Sequence, residues 1–172
     1  FGLATDDCHS YHQIPSRNSE PGRGWIQVLA PELTPEALVR AIDQGSFYAS
    51  SGVQLARYAV FEDGLEVEVR EEPDTNYTID FIGTRKGYDR QSEPVKDPAN
   101  APVRTTARYS NDVGRIMETV TGPRGRYTFD PTDLYIRARI TSSRKHPNPS
   151  VPGEYQRAWC QPVRGPAGRQ PQ

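Results

Sequence analysis

The stretch LYIRARIT, residues 134–141, alternates without interruption: Leu134, Ile136, Ala138 and Ile140 against Tyr135, Arg137, Arg139 and Thr141. Successive side chains of an extended chain point to opposite faces, so this is a strand with one dry face and one wet face. The same period of two recurs in LEVEVR (65–70), where Leu65, Val67 and Val69 alternate with Glu66, Glu68 and Arg70. It recurs again in YTIDFIG (77–83), through Ile79 and Phe81. RYAVF (57–61), RIMETVT (115–121), RYTFD (126–130) and RAWCQPV (157–163) read as further short strands, with turns at EDG (62–64) and GPRG (122–125). About seven short strands punctuated by turns predict a mainly β chain, with an immunoglobulin-like β-sandwich over 56–163. Pro162 suits a strand end because it has no N–H to give to a ladder. Residues 84–104, charged and proline-containing, read as an irregular loop, and RGPAGRQPQ (164–172) as a disordered tail with nothing to bury.

Before residue 55 the pattern differs. WIQVLA (25–30) is a short apolar run expected to be a buried strand. TPEALVRAIDQG (34–45) carries the signals of a helix. The Thr34 hydroxyl can accept from an orphan N–H of the first turn, Pro35 loses no hydrogen bond there, and Glu36 favours the positive end of the dipole. Leu38, Ala41 and Ile42 form one apolar stripe, and Gly45 fits a left-handed stop. FYASSG (47–52) is a second short strand ending in a turn, and IPSRNSEPGRG (14–24) is a loop. The chain therefore divides near residues 52–57, into segments 1–55 and 56–163. The apolar surface of the first segment predicts that it packs on the sandwich, covering one sheet with Leu38 and Ile42, associates with a second copy of the chain, or is poorly ordered.

The chain has 172 residues, 34% hydrophobic, a mean hydropathy of -0.77 and a formal net charge of -1. No general field draws it to nucleic acid or to an anionic membrane. No apolar run approaches the roughly 20 residues of a membrane helix, so a soluble protein is expected, with export left open. Residue 1 is Phe and the only methionine is Met117, which suggests a processed or truncated product. Asn76-Tyr77-Thr78 matches a glycosylation acceptor and is read as chance.

The chemistry-bearing residues gather in DDCHSYH (6–12). In an extended segment Asp7 and His9 share a face and offer a carboxylate oxygen and an imidazole nitrogen, suitable for zinc, manganese or iron. Asp6 points away, to orient a ligand, add one, or cap the following turn; His12 is a further candidate. A catalytic metal site usually needs about three protein ligands, so Asp7 and His9 are read as a partial set completed by ligands outside this chain. Cys8 is a further possible ligand, or one half of a disulfide with Cys160. Arg17, Arg23 and the backbone of Gly22 and Gly24 are candidates to touch a phosphate, Arg23 foremost. Trp25 is read as core, and Tyr48, Ser50 and Ser51 as packing and turn residues. Tyr135, Arg137 and Arg139 form either the solvated side of a strand or a surface for a sugar or partner chain.

GLATDDCHSYH (2–12) together with GRGWIQVLAPELTPEALVRAIDQGSFYASSG (22–52) resembles the end of a PHP domain, the polymerase and histidinol phosphatase family. More narrowly, the chain resembles stand-alone PHP-type phosphoesterases with an appended C-terminal β domain, whose closing strands are similar to LYIRARI and AWCQP. The resemblance implies that residues 1–55 are a β-α-β remnant of a distorted (βα)7 barrel. It implies that Asp7 and His9 are the metal ligands of the family's final D-x-H motif. It implies hydrolysis of phosphate esters by a metal-activated water in a longer parent, with this chain inactive alone. The H-x-H of the family's early motif occurs nowhere in this sequence. The alternative is a non-catalytic β-sandwich module that binds a carbohydrate or protein partner.

Overall fold

The structure is a computed structural model that describes residues 1–9, 11–12, 20–97, 99 and 102–169, with backbone alone for 102–106. In chain order the elements are β1 (Trp25–Val28), α1 (Pro35–Asp43), β2 (Phe47–Ser50), β3 (Leu55–Phe61), β4 (Gly64–Val69) and β5 (Tyr77–Arg85). They continue with β6 (Ser92–Lys96), β7 (Pro102–Tyr109), β8 (Arg115–Thr121), β9 (Arg124–Thr128), β10 (Asp133–Lys145), β11 (Tyr155–Cys160) and β12 (Val163–Arg164). The chain is mainly β, with antiparallel pairing at every ladder described. A seven-stranded sheet runs β1-β2-β11-β10-β5-β8, with β12 paired beside β10. A three-stranded sheet runs β3-β4-β9, and β6 and β7 form a separate hairpin. No helix among the described residues is long and apolar enough to cross a membrane.

The alternating segments behave as their period requires. On β10, Ile136, Ala138 and Ile140 are fully buried, while Tyr135, Arg137 and Arg139 stay half-buried on the other side. The dry residues meet Leu65, Val67, Val69 and Tyr127 of the three-stranded sheet in one continuous core that also takes in Ile79 and Phe81. Phe81 reaches the Tyr127 ring at a centroid distance of 5.4 Å. It fits because β9 presents Gly125 there; a Cβ at that position would press Ile79 and Phe81 at 3.2–3.3 Å.

The helix begins as its sequence dictates. Thr34 Oγ1 accepts from the Ala37 N–H at 3.3 Å, and Pro35 opens the first turn. Its buried face differs from the expected one: Ala37 and Ala41 are buried, whereas Leu38 and Ile42 are only half-buried. The small pair at i and i+4 makes the close approach, and the larger side chains flank it. β1 and β2 pair antiparallel, Trp25 opposite Ser50, so this β-α-β segment lacks the parallel strands of a (βα) barrel repeat. It is also continuous with the rest: β2 pairs with β11, Ala49 opposite Trp159, and the expected division at residue 55 falls where the chain leaves the large sheet for the small one.

Two expectations fail on backbone grounds. Residues 84–104 are not an irregular loop. β5 extends to Arg85, and β6, exposed at four of its five residues, pairs with β7, so the β6 sequence carries no alternation to read. The tail is ordered through Arg169, with residues 170–172 outside the described set. Gly165 N–H donates to the Leu134 carbonyl at 3.1 Å, and Gly168 lies so close to that carbonyl that no Cβ would fit. Docking there uses backbone and glycine, not the apolar side chains whose lack suggested disorder.

Asp133, wholly buried, accepts from Tyr127 Oη at 3.0 Å, from the Asp130 N–H at 2.8 Å and from Arg85 Nε at 3.1 Å. Asp133→Ala strands a hydroxyl and an amide without partners, and should cost about 3 kcal/mol in urea unfolding. Asp133→Asn, which keeps an acceptor oxygen, should cost less. Equal small losses for both would show that the network carries little stability.

Candidate functional site

Asp6 organises the N-terminal segment. Its Oδ1 accepts from the backbone N–H groups of Arg23 and Gly24, both at 2.7 Å, and its Oδ2 from that of Gly22 at 2.8 Å. Burial pushes the Asp6 carboxyl up, but these N–H groups and the Arg23 charge outweigh it and hold the pKa below its usual 3.8. Of the roles open to Asp6, the structure shows capping, and of a loop sixteen or more residues away.

The next residue turns the chain. Asp7 has a φ of 48°, in the left-handed region that Asp tolerates better than most residues, and it is exposed. His9, also exposed, places Nδ1 at 2.6 Å from the Asp7 carbonyl oxygen. A carbonyl only accepts, so Nδ1 carries the proton and, in the neutral ring, Nε2 keeps its lone pair. That is the tautomer a metal-ligating histidine uses, its other nitrogen oriented by a backbone carbonyl. The Asp7–His9 pair therefore fits a metal in donor type and tautomer. It offers two donors at most; among the described residues no group of three His, Cys, Asp or Glu side chains is placed to hold an ion. His12 is exposed, Cys8 is half-buried, and no disulfide joins Cys8 to Cys160. Burial in the core pushes the Cys160 thiol far up, which makes it inert as a thiolate.

Arg23 lies beside this segment, its backbone fixed by Asp6 and its side chain folded into the protein. Its guanidinium lies 3.8 Å from the buried Glu20 carboxylate and 3.5 Å from Asn148 Oδ1, while its buried Nε has no hydrogen-bond partner among the described residues. An unsatisfied buried donor costs about 1–3 kcal/mol, so an acceptor brought to Nε would stabilise the site. Arg23 lines a cleft of about 220 Å³ with Ser51, His146, Ser150, Glu154 and Trp159. The His146 ring is buried, and its Nδ1 accepts from the Asn148 N–H at 3.1 Å, which leaves Nε2–H as the donor of the neutral ring. The sequence offered no sign of Glu20, His146 or Asn148 at this place: Arg23 and Asn148 are 125 residues apart.

The remaining sequence candidates have structural duties. The Tyr48 hydroxyl accepts from the Leu55 N–H at 2.9 Å, and burial pushes its pKa up. Ser50 Oγ donates to the Val53 carbonyl at 2.7 Å, and Ser51 Oγ accepts from the Arg157 N–H at 3.0 Å. Trp25 is half-buried in β1. Tyr77 of the glycosylation-like triplet is buried at the start of β5. Arg139 is ion-paired with Asp80 at 2.7 Å. Arg17 lies outside the described residues. No protein-family model, curated protein or solved structure matches this chain.

Because Asp6 titrates below its usual value when folded, its contribution to stability is complete above that value and vanishes as pH falls through the lowered one. The stability difference between the wild type and Asp6→Asn should therefore hold level from about pH 7 to 5 and shrink below about pH 4. Urea midpoints across this range measure it. A difference that stays level down to about pH 2.5 would show that the carboxylate charge is not what binds the loop.

Proposed function

We propose that this chain is the C-terminal portion of a PHP-like metal-dependent phosphoesterase, in which Asp7 and His9 supply two ligands to a divalent zinc, manganese or iron ion. The ligands that complete the site come from outside the chain, so the 172 residues alone are inactive. The observation that carries the reading is the His9 Nδ1 contact with the Asp7 carbonyl at 2.6 Å, which leaves Nε2 as the lone-pair nitrogen. The Asp6 bonds to residues 22–24 add to it, because they fix the Arg23 backbone beside the residue that precedes the pair.

In this reading the metal, when bound, lowers the pKa of a water for attack on phosphorus. Asp7 and His9 hold the ion. Asp6 is committed to the loop and acts as a positioning residue. Arg23 offers its unpartnered Nε–H to a phosphate oxygen of the ester substrate, as a charged donor that matches developing negative charge. The substrate's leaving group is not defined by these residues.

A second reading is favoured by the two antiparallel layers packed through one core. They form, in this proposal, an accessory β-sandwich of immunoglobulin-like type that serves as a binding module for a carbohydrate or protein partner. The two readings are compatible within one longer protein.

Manganese tests the first. In amide-resolved NMR spectra of the chain, substoichiometric Mn²⁺ should broaden the resonances of residues 6–9 first, through a weak two-ligand site. Asp7→Ala/His9→Ala should abolish that broadening. Broadening that survives the double substitution, or that centres on other acidic surfaces such as Glu62 and Asp63, would remove the support for a metal at this position.

A further inference from the structure

On the outer side of the large sheet, away from the core, the charges are unevenly settled. Arg139 is held by Asp80, which also accepts from Thr119 Oγ1 at 2.8 Å. Arg85 is held by Asp133, and Arg157 lies 3.6 Å from Glu154. The side chain of Arg137, between these positions and half-buried, makes no hydrogen bond or ion pair among the described residues, and neither does that of Arg164. The register brings the two together. Arg164 of β12 stands opposite Tyr135, and Arg137 is two residues along the same face of β10. Diagonal neighbours of this kind lie about 7–8 Å apart, within convergence of two arginine forks on one group.

Both arginines line a single open cavity of about 840 Å³, with Leu134, Tyr135, Pro162 and Gly168 among its walls. No Asp or Glu lines it. The Tyr135 hydroxyl reaches toward β5, where it accepts from Thr84 Oγ1 at 3.2 Å, and the ring is the surface that Tyr135 sets against an apolar body. The volume is in the range of roughly 300–1,000 Å³ that holds small ligands.

We infer that this groove is a binding site for a small molecule that carries a phosphate monoester dianion on an apolar or aromatic body. Two uncompensated guanidinium groups match the two charges of the dianion, and planar forks match its oxygens bidentately. The Tyr135 ring, Leu134 and Pro162 match the body. The site shares no lining residue with the Arg23 cleft, and it does not depend on the metal reading.

Phenyl phosphate is the probe, titrated into the chain at constant ionic strength and followed by amide and side-chain NMR shifts. Saturable shifts are expected at residues 134–137 and 163–165. Arg137→Ala and Arg164→Ala should each weaken binding at least about tenfold, as the loss of a charge-assisted hydrogen bond does. Arg164→Glu, at an exposed position that does not threaten the fold, should abolish binding, while Arg23→Gln should leave it unchanged. Benzyl alcohol that produces the same shifts would overturn the anion half of the inference. Inorganic phosphate that binds as tightly as phenyl phosphate would overturn the apolar half. Shifts confined to Arg23 and His146, and lost in Arg23→Gln, would place the anion in the other cleft and overturn the assignment altogether.

Discussion

The buried carboxylate of Asp133 is the point at which the layers of this protein are tied together. It begins β10, the strand that pairs with β5, β11 and β12. Its three donors come from different places: Tyr127 on β9 of the small sheet, Arg85 at the end of β5, and the backbone of the preceding turn. A carboxylate taken out of water is costly unless its lone pairs are filled, so the site is satisfied only when both sheets are correctly placed. The hydrophobic faces alone would allow sliding, since alternating strands can shift by two residues and still bury the same side. Asp133 opposes that shift, because a slip of two residues separates it from its partners on other strands, Arg85 and Tyr127. The ordered tail follows from the same geometry, with Gly165 packed directly against the Asp133 backbone.

With register fixed in this way, the outer face of the large sheet acquires a definite charge pattern. Every second residue of β10 faces outward, and the register decides which of its arginines meets an acid. Arg139 falls opposite Asp80 on β5, whereas Arg137 falls opposite Ile82. The alternation of Tyr and Arg is therefore not uniform in function: one arginine is structural and the next is left available. The same reasoning separates Arg23 from a generic loop arginine. Its backbone is pinned by Asp6, so its side chain enters a cleft that it does not fully satisfy.

The β-rich half of the fold was legible in the sequence because burial on one face leaves a period of two, as in Leu65, Val67 and Val69 or Ile136, Ala138 and Ile140. The helix was legible because its cap is local chemistry, from Thr34 to Ala37. Its buried face was legible only in part: Ala41 of the expected stripe is buried, while Ala37, with a weak hydrophobic signal, is buried more deeply than Leu38 and Ile42. β6 is exposed at four of its five residues, and the docking of Gly165 and Gly168 sets glycine against backbone, so neither leaves a pattern in side-chain polarity. At the candidate site, the D-D-x-H cluster was visible as a composition. Arg23 was visible as a basic residue of a glycine-rich loop, but its neighbours His146 and Asn148 were not: they reach it only because β2 joins β11 and brings distant loops to one end of the sheet.

That cluster holds adjacent acids, and their geometry decides which one can act. Both oxygens of Asp6 are taken up by backbone N–H groups, and the same bonds lower its affinity for a proton and keep it ionised. To bind a metal it would have to release the 22–24 loop, at the cost of several charge-assisted hydrogen bonds. Asp7 has no such commitment, and its positive φ turns it out of line with Asp6. The carbonyl of Asp7 in turn orients His9. One residue thus anchors the segment, the next turns it and sets the tautomer of the histidine, and the ligand pair of the proposed site is left as Asp7 and His9. With the anchor set beside the two proposed ligands and not among them, the bonds from Asp6 to the loop that bears Arg23 do not compete with the proposed metal.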